Sequence, residues 1–190
     1  MISTLIGYFP KHTSKGSDSI RLPGVEQVCS VSSCVSRSPG DWISNWRHNA
    51  LWVYDTEELA LSIVAPEERS EFELYAYFMF PVRFVDGRLE PFDLPALRVQ
   101  PLRTSFSRLG YDAVSRTQDN EFECSPLSCN GMAQHIAVNR YCLVDTEPQA
   151  FEIARDFSIG KAEPGPYYVV EVWREVLVRA NSGSAGRLVE

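Results

Sequence analysis

The stretch Asn49-Ala50-Leu51-Trp52-Val53-Tyr54-Asp55-Thr56-Glu57 returns ninety residues later as Asn139-Arg140-Tyr141-Cys142-Leu143-Val144-Asp145-Thr146-Glu147. The alignment runs on without a gap through Ala60/Ala150 and Ile63/Ile153, so six of the sixteen positions from 49 to 64 are identical at this offset. Unrelated windows of that size share about one identity, because each residue type accounts for only several per cent of usage. Other blocks recur in the same order. Cys29-Ser30-Val31-Ser32-Ser33-Cys34 returns as Cys124-Ser125-Pro126-Leu127-Ser128-Cys129, and Ile6-Gly7-Tyr8 as Leu109-Gly110-Tyr111. The cysteine blocks sit at an offset of 95, which places a five-residue length change between cysteines and helix. A period this long predicts a two-lobed domain and not a solenoid array. Features common to both halves then read as framework. Features confined to one half are where a function was added.

Each half reads as strand, cysteine segment, connector, short apolar run, helix, strand. The expected fold class is α+β: two similar half-domains, each a small, mainly antiparallel sheet with one capped helix, packed about a pseudo-twofold axis. The boundaries are residues 1–90 for the first half, 91–103 for a connector carrying Pro91, Pro95 and Pro101, 104–179 for the second half, and 180–190 for a Gly/Ser-rich tail. Asp55-Thr56-Glu57-Glu58 predicts a capped helix through about Val64, and Pro148 opens a helix through Phe157. Residues 25–35, 122–127 and 140–144 read as strands, and 73–84 as one long strand closed by the Asp86-Gly87 hairpin signal.

Bulk properties exclude more than they establish. With 18 basic against 25 acidic residues, the net charge is −7, and the three lysines form no patch. Nucleic-acid affinity rests on clustered Lys and Arg, so nucleic acid is not the expected partner. An acidic surface suits a basic protein partner. No apolar run approaches the ~20 residues of a membrane span, and the first ten residues lack the basic and apolar regions of a secretory leader. Five cysteines, an odd number, argue for reduced thiols in the cytoplasm over a secreted disulfide framework.

Candidate chemistry falls into three sets. The repeated Asp-Thr-Glu is read as helix capping, since these side chains satisfy free N–H groups of the first turn. Cys29, Cys34, Cys124 and Cys129 supply four thiols, the number a tetrahedral zinc site takes. Within an extended block, however, the two thiols lie roughly 16 Å apart at about 3.3 Å per residue. Buried cysteine acting as a small hydrophobe is the expected role. Trp42, Trp46, Arg47, His48 and Trp52 crowd the connector of the first half, whereas residues 131–138 of the second half carry no tryptophan. Trp and Arg dominate interface hot spots, so this cluster is the expected binding surface.

Ser30-Val31-Ser32 and Glu121-Phe122-Glu123, with His12 or Arg21 ahead of them, resemble in order the short motifs of small ADP-ribosyltransferases. The resemblance implies that Glu121 and Glu123 orient a ribose hydroxyl while Ser30 and Ser32 position the nicotinamide ribose of NAD. It extends no further than these motifs. The leading expectation is a non-catalytic, cofactor-free binding protein of inhibitor, immunity or adaptor type acting through protein–protein contact. An NAD-consuming transferase and a zinc-stabilised module are the alternatives.

Overall fold

A computed structural model describes residues 1–12, 22–35, 47–116, 122–129, 132–160 and 165–176. Strands β1 (Thr4–His12), β2 (Phe72–Met79), β3 (Val82–Val85), β4 (Arg88–Pro91), β5 (Phe106–Ser115) and β6 (Tyr167–Glu175) form one sheet, joined by helices α1 (Glu57–Ser62) and α2 (Glu147–Ile159). The architecture is a mixed α+β fold, mostly antiparallel sheet with few helices.

β2 and β6 lie side by side at the centre, with β1 outside β2 and β5 outside β6, every ladder antiparallel. Strand alternation sorts side chains onto two faces. On one face Tyr75, Tyr77 and Met79 of β2 meet Tyr168, Val170 and Val172 of β6, under Cys29, Val31 and Phe122. On the other face Leu74 and Ala76 pack with Ala60 and Ile63 of α1, while Tyr167 and Val169 pack with Ala150, Ile153 and Phe157 of α2. Helices therefore cover one side of the sheet and the cysteine segments the other. Most of β2 and the first six residues of β6 are buried on both faces, which explains why these stretches are mainly apolar.

The predicted strand 73–84 is broken at Pro81, whose ring removes a ladder donor, and resumes as β3. The Asp86-Gly87 hairpin forms as expected, with φ of 47° and 77° at the two residues, the left-handed pair of a two-residue turn. Thr56 caps α1, accepting from the Leu59 N–H at 3.1 Å. Asp55 does not cap. Its carboxylate accepts from Asn49 Nδ2 at 2.8 Å, and Asp145 from Asn139 at 2.9 Å.

These asparagines build the same turn twice. Asn49 Nδ2 also donates to Ile6 O, and its Oδ1 accepts from Leu51 N. Asn139 does the same with Leu109 O and Tyr141 N. In each turn the third residue after the asparagine is left-handed, Trp52 at φ 61° and Cys142 at φ 60°. The turn then delivers one bridging residue to the first strand, Tyr54 to Tyr8 and Val144 to Tyr111. Residues 140–144 are thus not the strand predicted from their apolar run, because the Asn139 side chain takes their N–H groups into a turn.

The cysteine segments also depart from expectation. Residues 25–35 are irregular apart from an isolated bridging residue, ending in a 3-10 turn at Ser33–Val35, and 122–127 contribute only the Phe122–Arg116 bridge. Their backbone groups are satisfied by a mixture of single backbone bonds, such as Cys29 N to Tyr141 O, and side chains, such as Asp112 at Val31 N, instead of a ladder. The 180–190 tail lies outside the described residues.

Candidate functional site

Two buried charges hold the cysteine segments onto the sheet. Lys11, near the end of β1, donates from Nζ to the carbonyls of Ser30 and Ser32 at 2.5 and 2.8 Å. Asp112, in the middle of β5, accepts from Ser30 Oγ at 2.6 Å, Val31 N at 3.0 Å and Ser125 Oγ at 2.5 Å. Ser30 and Ser125 are the second residues of the two repeated cysteine blocks, so one carboxylate ties both together. Burial drives the Lys11 ammonium down to about 8, with the Asp112 charge the strongest opposing influence. Burial pushes the Asp112 carboxyl above its usual range, opposed by the donors from Ser125, Ser30 and Val31 and by Lys11. This arrangement is structural: every polar contact named runs within the clamp.

Beside the clamp, three thiols converge. The Sγ atoms of Cys34, Cys124 and Cys129 all lie within 4.8 Å of one another. The expectation of an extended block fails here for a local reason. Ser128 N and Cys129 N both donate to Ser125 O, and this tight turn carries Cys129 back over Cys124. Cys34 Sγ donates to Glu123 O at 2.9 Å, and Ser32 Oγ lies 3.4 Å from Cys129 Sγ. Cys124 is buried, Cys129 half-buried and Cys34 exposed. No disulfide joins any of the five cysteines. Cys29, grouped with these three by sequence, sits elsewhere: its Sγ is 3.4 Å from Tyr75 Oη in the core, where burial pushes its thiol up to about 11. Cys142, not singled out by sequence, is likewise a core thiol, pushed up by burial to about 12.

Of the transferase-like set, Ser30 and Ser32 are wholly buried, and Ser32 Oγ donates to Glu123 O at 2.7 Å. Their hydroxyls are committed to Asp112 and to Glu123 O. Glu121 and Arg21 lie outside the described residues, and His12 stands 3.5 Å from Glu71 at the end of β1. A cavity of about 440 Å³ opens between Leu22-Pro23 and Ala133, Gln134 and residues 136–138, and among the described residues no ionisable side chain lines it.

Of the aromatic-basic cluster, Trp42 and Trp46 lie outside the described residues. Of the other three, His48 and Trp52 are brought together, whereas Arg47 reaches toward α1. His48 and Trp52 stack with ring centroids 4.1 Å apart and planes 23° from parallel. The His48 ring nitrogen Nδ1 is fixed 2.8 Å from Asn49 O, and exposed Arg47 reaches Ser62 Oγ of α1 at 3.4 Å. A bulky residue with positive φ is a conformational outlier, costing about 1–3 kcal/mol that the surroundings must offset. At the matching place of the second turn stands Cys142, packed with Leu22 and Ala133. No helix among the described residues is long and apolar enough to cross a membrane. In comparisons with known proteins, no family model, curated protein or solved structure matches the chain.

Proposed function

We propose that the protein is a non-catalytic, cytoplasmic binding protein of inhibitor, immunity or adaptor type, and that Arg47, His48 and Trp52 form the core of its protein-binding surface. The observation that carries this reading is the contrast between two like turns. Both turns are left-handed at this position, but where the second holds a small thiol in the core, the first holds an indole stacked on an imidazole and only half-buried. A partly exposed indole in one half only, close in sequence to an arginine, has the composition of an interface hot spot. The net charge of −7 makes a basic partner the electrostatic complement. Burial of Ser30 and Ser32 weighs against the transferase reading, since neither hydroxyl is open to a dinucleotide.

We also infer that the two halves, 1–90 and 104–179, descend from one duplicated module. In support, Gly7 pairs with Tyr77 and Gly110 with Val172, and Tyr77 pairs with Val172 across the centre. On this reading a pseudo-twofold axis at that central pair relates β1–β2 to β5–β6, and the two asparagine turns correspond. On this view Trp52 and its neighbours are additions to a common framework.

The test is affinity for a partner recovered with the full chain as bait, measured by calorimetry. Trp52→Asn keeps a residue that tolerates the left-handed backbone and removes the ring. It is expected to weaken binding at least about thirtyfold, the roughly 2 kcal/mol of a hot-spot residue, with the melting temperature held within a few degrees. Unchanged affinity in Trp52→Asn and in His48→Ala would refute the surface.

A further inference from the structure

We infer that Cys34, Cys124 and Cys129 form a zinc site of three thiolates with one open coordination position. The assignment does not rest on the partner-binding reading. Zinc–sulfur bonds are about 2.3 Å, so three sulfurs around a tetrahedral ion lie about 3.8 Å apart. The observed sulfurs are all within 4.8 Å of one another, so side-chain rotations of about 1 Å close the site without moving the backbone. A soft, three-sulfur donor set selects zinc over magnesium or calcium, which take oxygen ligands.

The surroundings favour such an ion. Three thiolates and Zn²⁺ sum to one negative charge, and the Lys11 ammonium, held on the carbonyls of Ser30 and Ser32, lies beside the site to compensate it. Ser32 Oγ, 3.4 Å from Cys129 Sγ, also accepts from Cys34 N at 3.2 Å, which orients two ligands from one outer-sphere residue. Cys34 is exposed, so the fourth position faces solvent and takes water. This differs from a closed four-cysteine site, because Cys29 is committed to Tyr75 in the core. Binding releases the thiol protons to solvent as the three sulfurs become thiolates.

The probe is Co²⁺ added to the reduced full-length protein under anaerobic conditions, followed by absorption spectroscopy. One equivalent is expected to give sulfur-to-cobalt charge transfer and tetrahedral visible bands, both abolished by one equivalent of Zn²⁺. Cys34→Ser alters an exposed position and leaves the fold intact. It is expected to cut charge-transfer intensity by about a third and affinity by more than about a hundredfold, beyond the roughly 10–100-fold range for outer-sphere changes. Cys129→Ser is expected to behave alike, and Cys29→Ala to leave the spectrum unchanged. Absence of charge transfer overturns the assignment, whether the thiols stay free or pair as a disulfide. Equal losses in Cys29→Ala and Cys34→Ser overturn it too.

Discussion

Asp112→Ala is expected to destabilise the protein by about 3–5 kcal/mol, the range for removing one partner from a buried charged network. The substitution orphans two hydroxyls and the Val31 N–H at once, in a region with no access to water. It also leaves the Lys11 ammonium buried without the negative charge that most strongly supports it. Asp112→Asn keeps one acceptor oxygen and is expected to cost about half as much. Urea unfolding under reducing conditions measures both.

The clamp also has a pH signature. The folded value of Lys11, about 8, lies below its ordinary 10.5, so between those values the unfolded chain carries the extra proton. Stability from this group therefore rises with pH across that window and is lost as pH falls toward 8. In Asp112→Ala the folded value drops further, because Asp112 is the main influence holding it up, and the rise begins at lower pH. A variant whose stability curve keeps the wild-type shape from pH 7 to 10 would contradict the clamp.

The second large effect concerns Gly7 and Gly110. Both have φ near +150°, and both sit at the register shift of a first strand. A Cβ at Gly7 would meet Val53 Cγ2 at 2.6 Å and Tyr54 O at 2.7 Å, and one at Gly110 would meet Val144 O at 2.7 Å. The obstructing atoms are mainly those of the asparagine turn, and a carbonyl engaged in a strand bridge cannot move aside. Backbone strain of about 1–3 kcal/mol adds to overpacking of about 1–3 kcal/mol. Each alanine variant is expected to lose about 3–5 kcal/mol, and the two losses to agree within about 1 kcal/mol. A neutral Gly7→Ala beside a damaging Gly110→Ala would mean that the two bulges do different work.

The parts of the fold legible in the sequence are those specified by neighbouring residues. Thr56 caps α1 three residues from its donor, Pro148 opens α2, and Asp86-Gly87 closes a hairpin of four-residue strands. Misread segments owe their conformation to distant side chains. Residues 25–35 have strand composition, yet Lys11 and Asp112 occupy their carbonyl and N–H groups from positions up to 81 residues away. Asn139 was recognised as a repeated residue, but its role in turning 140–144 needs Leu109, 30 residues upstream. The thiol site was half legible. Cysteine spacing nominated four ligands, and only the turn at Ser125 and the Tyr75 contact separate Cys29 from the three that converge.

The central claim is that what the halves share is framework and what only one half carries is function. It is tested most directly by the unfolding free energies of Asn49→Ala, Asn139→Ala and Trp52→Asn in one urea series. Each asparagine side chain makes at least three hydrogen bonds, one of them to the first strand and the rest within its turn, so each alanine variant is predicted to lose about 2–3 kcal/mol. Trp52→Asn is predicted to lose less than about 1 kcal/mol, because relief of the left-handed strain offsets the lost packing. A silent Asn139→Ala, or a Trp52→Asn protein that unfolds as readily as the asparagine variants, would contradict the account.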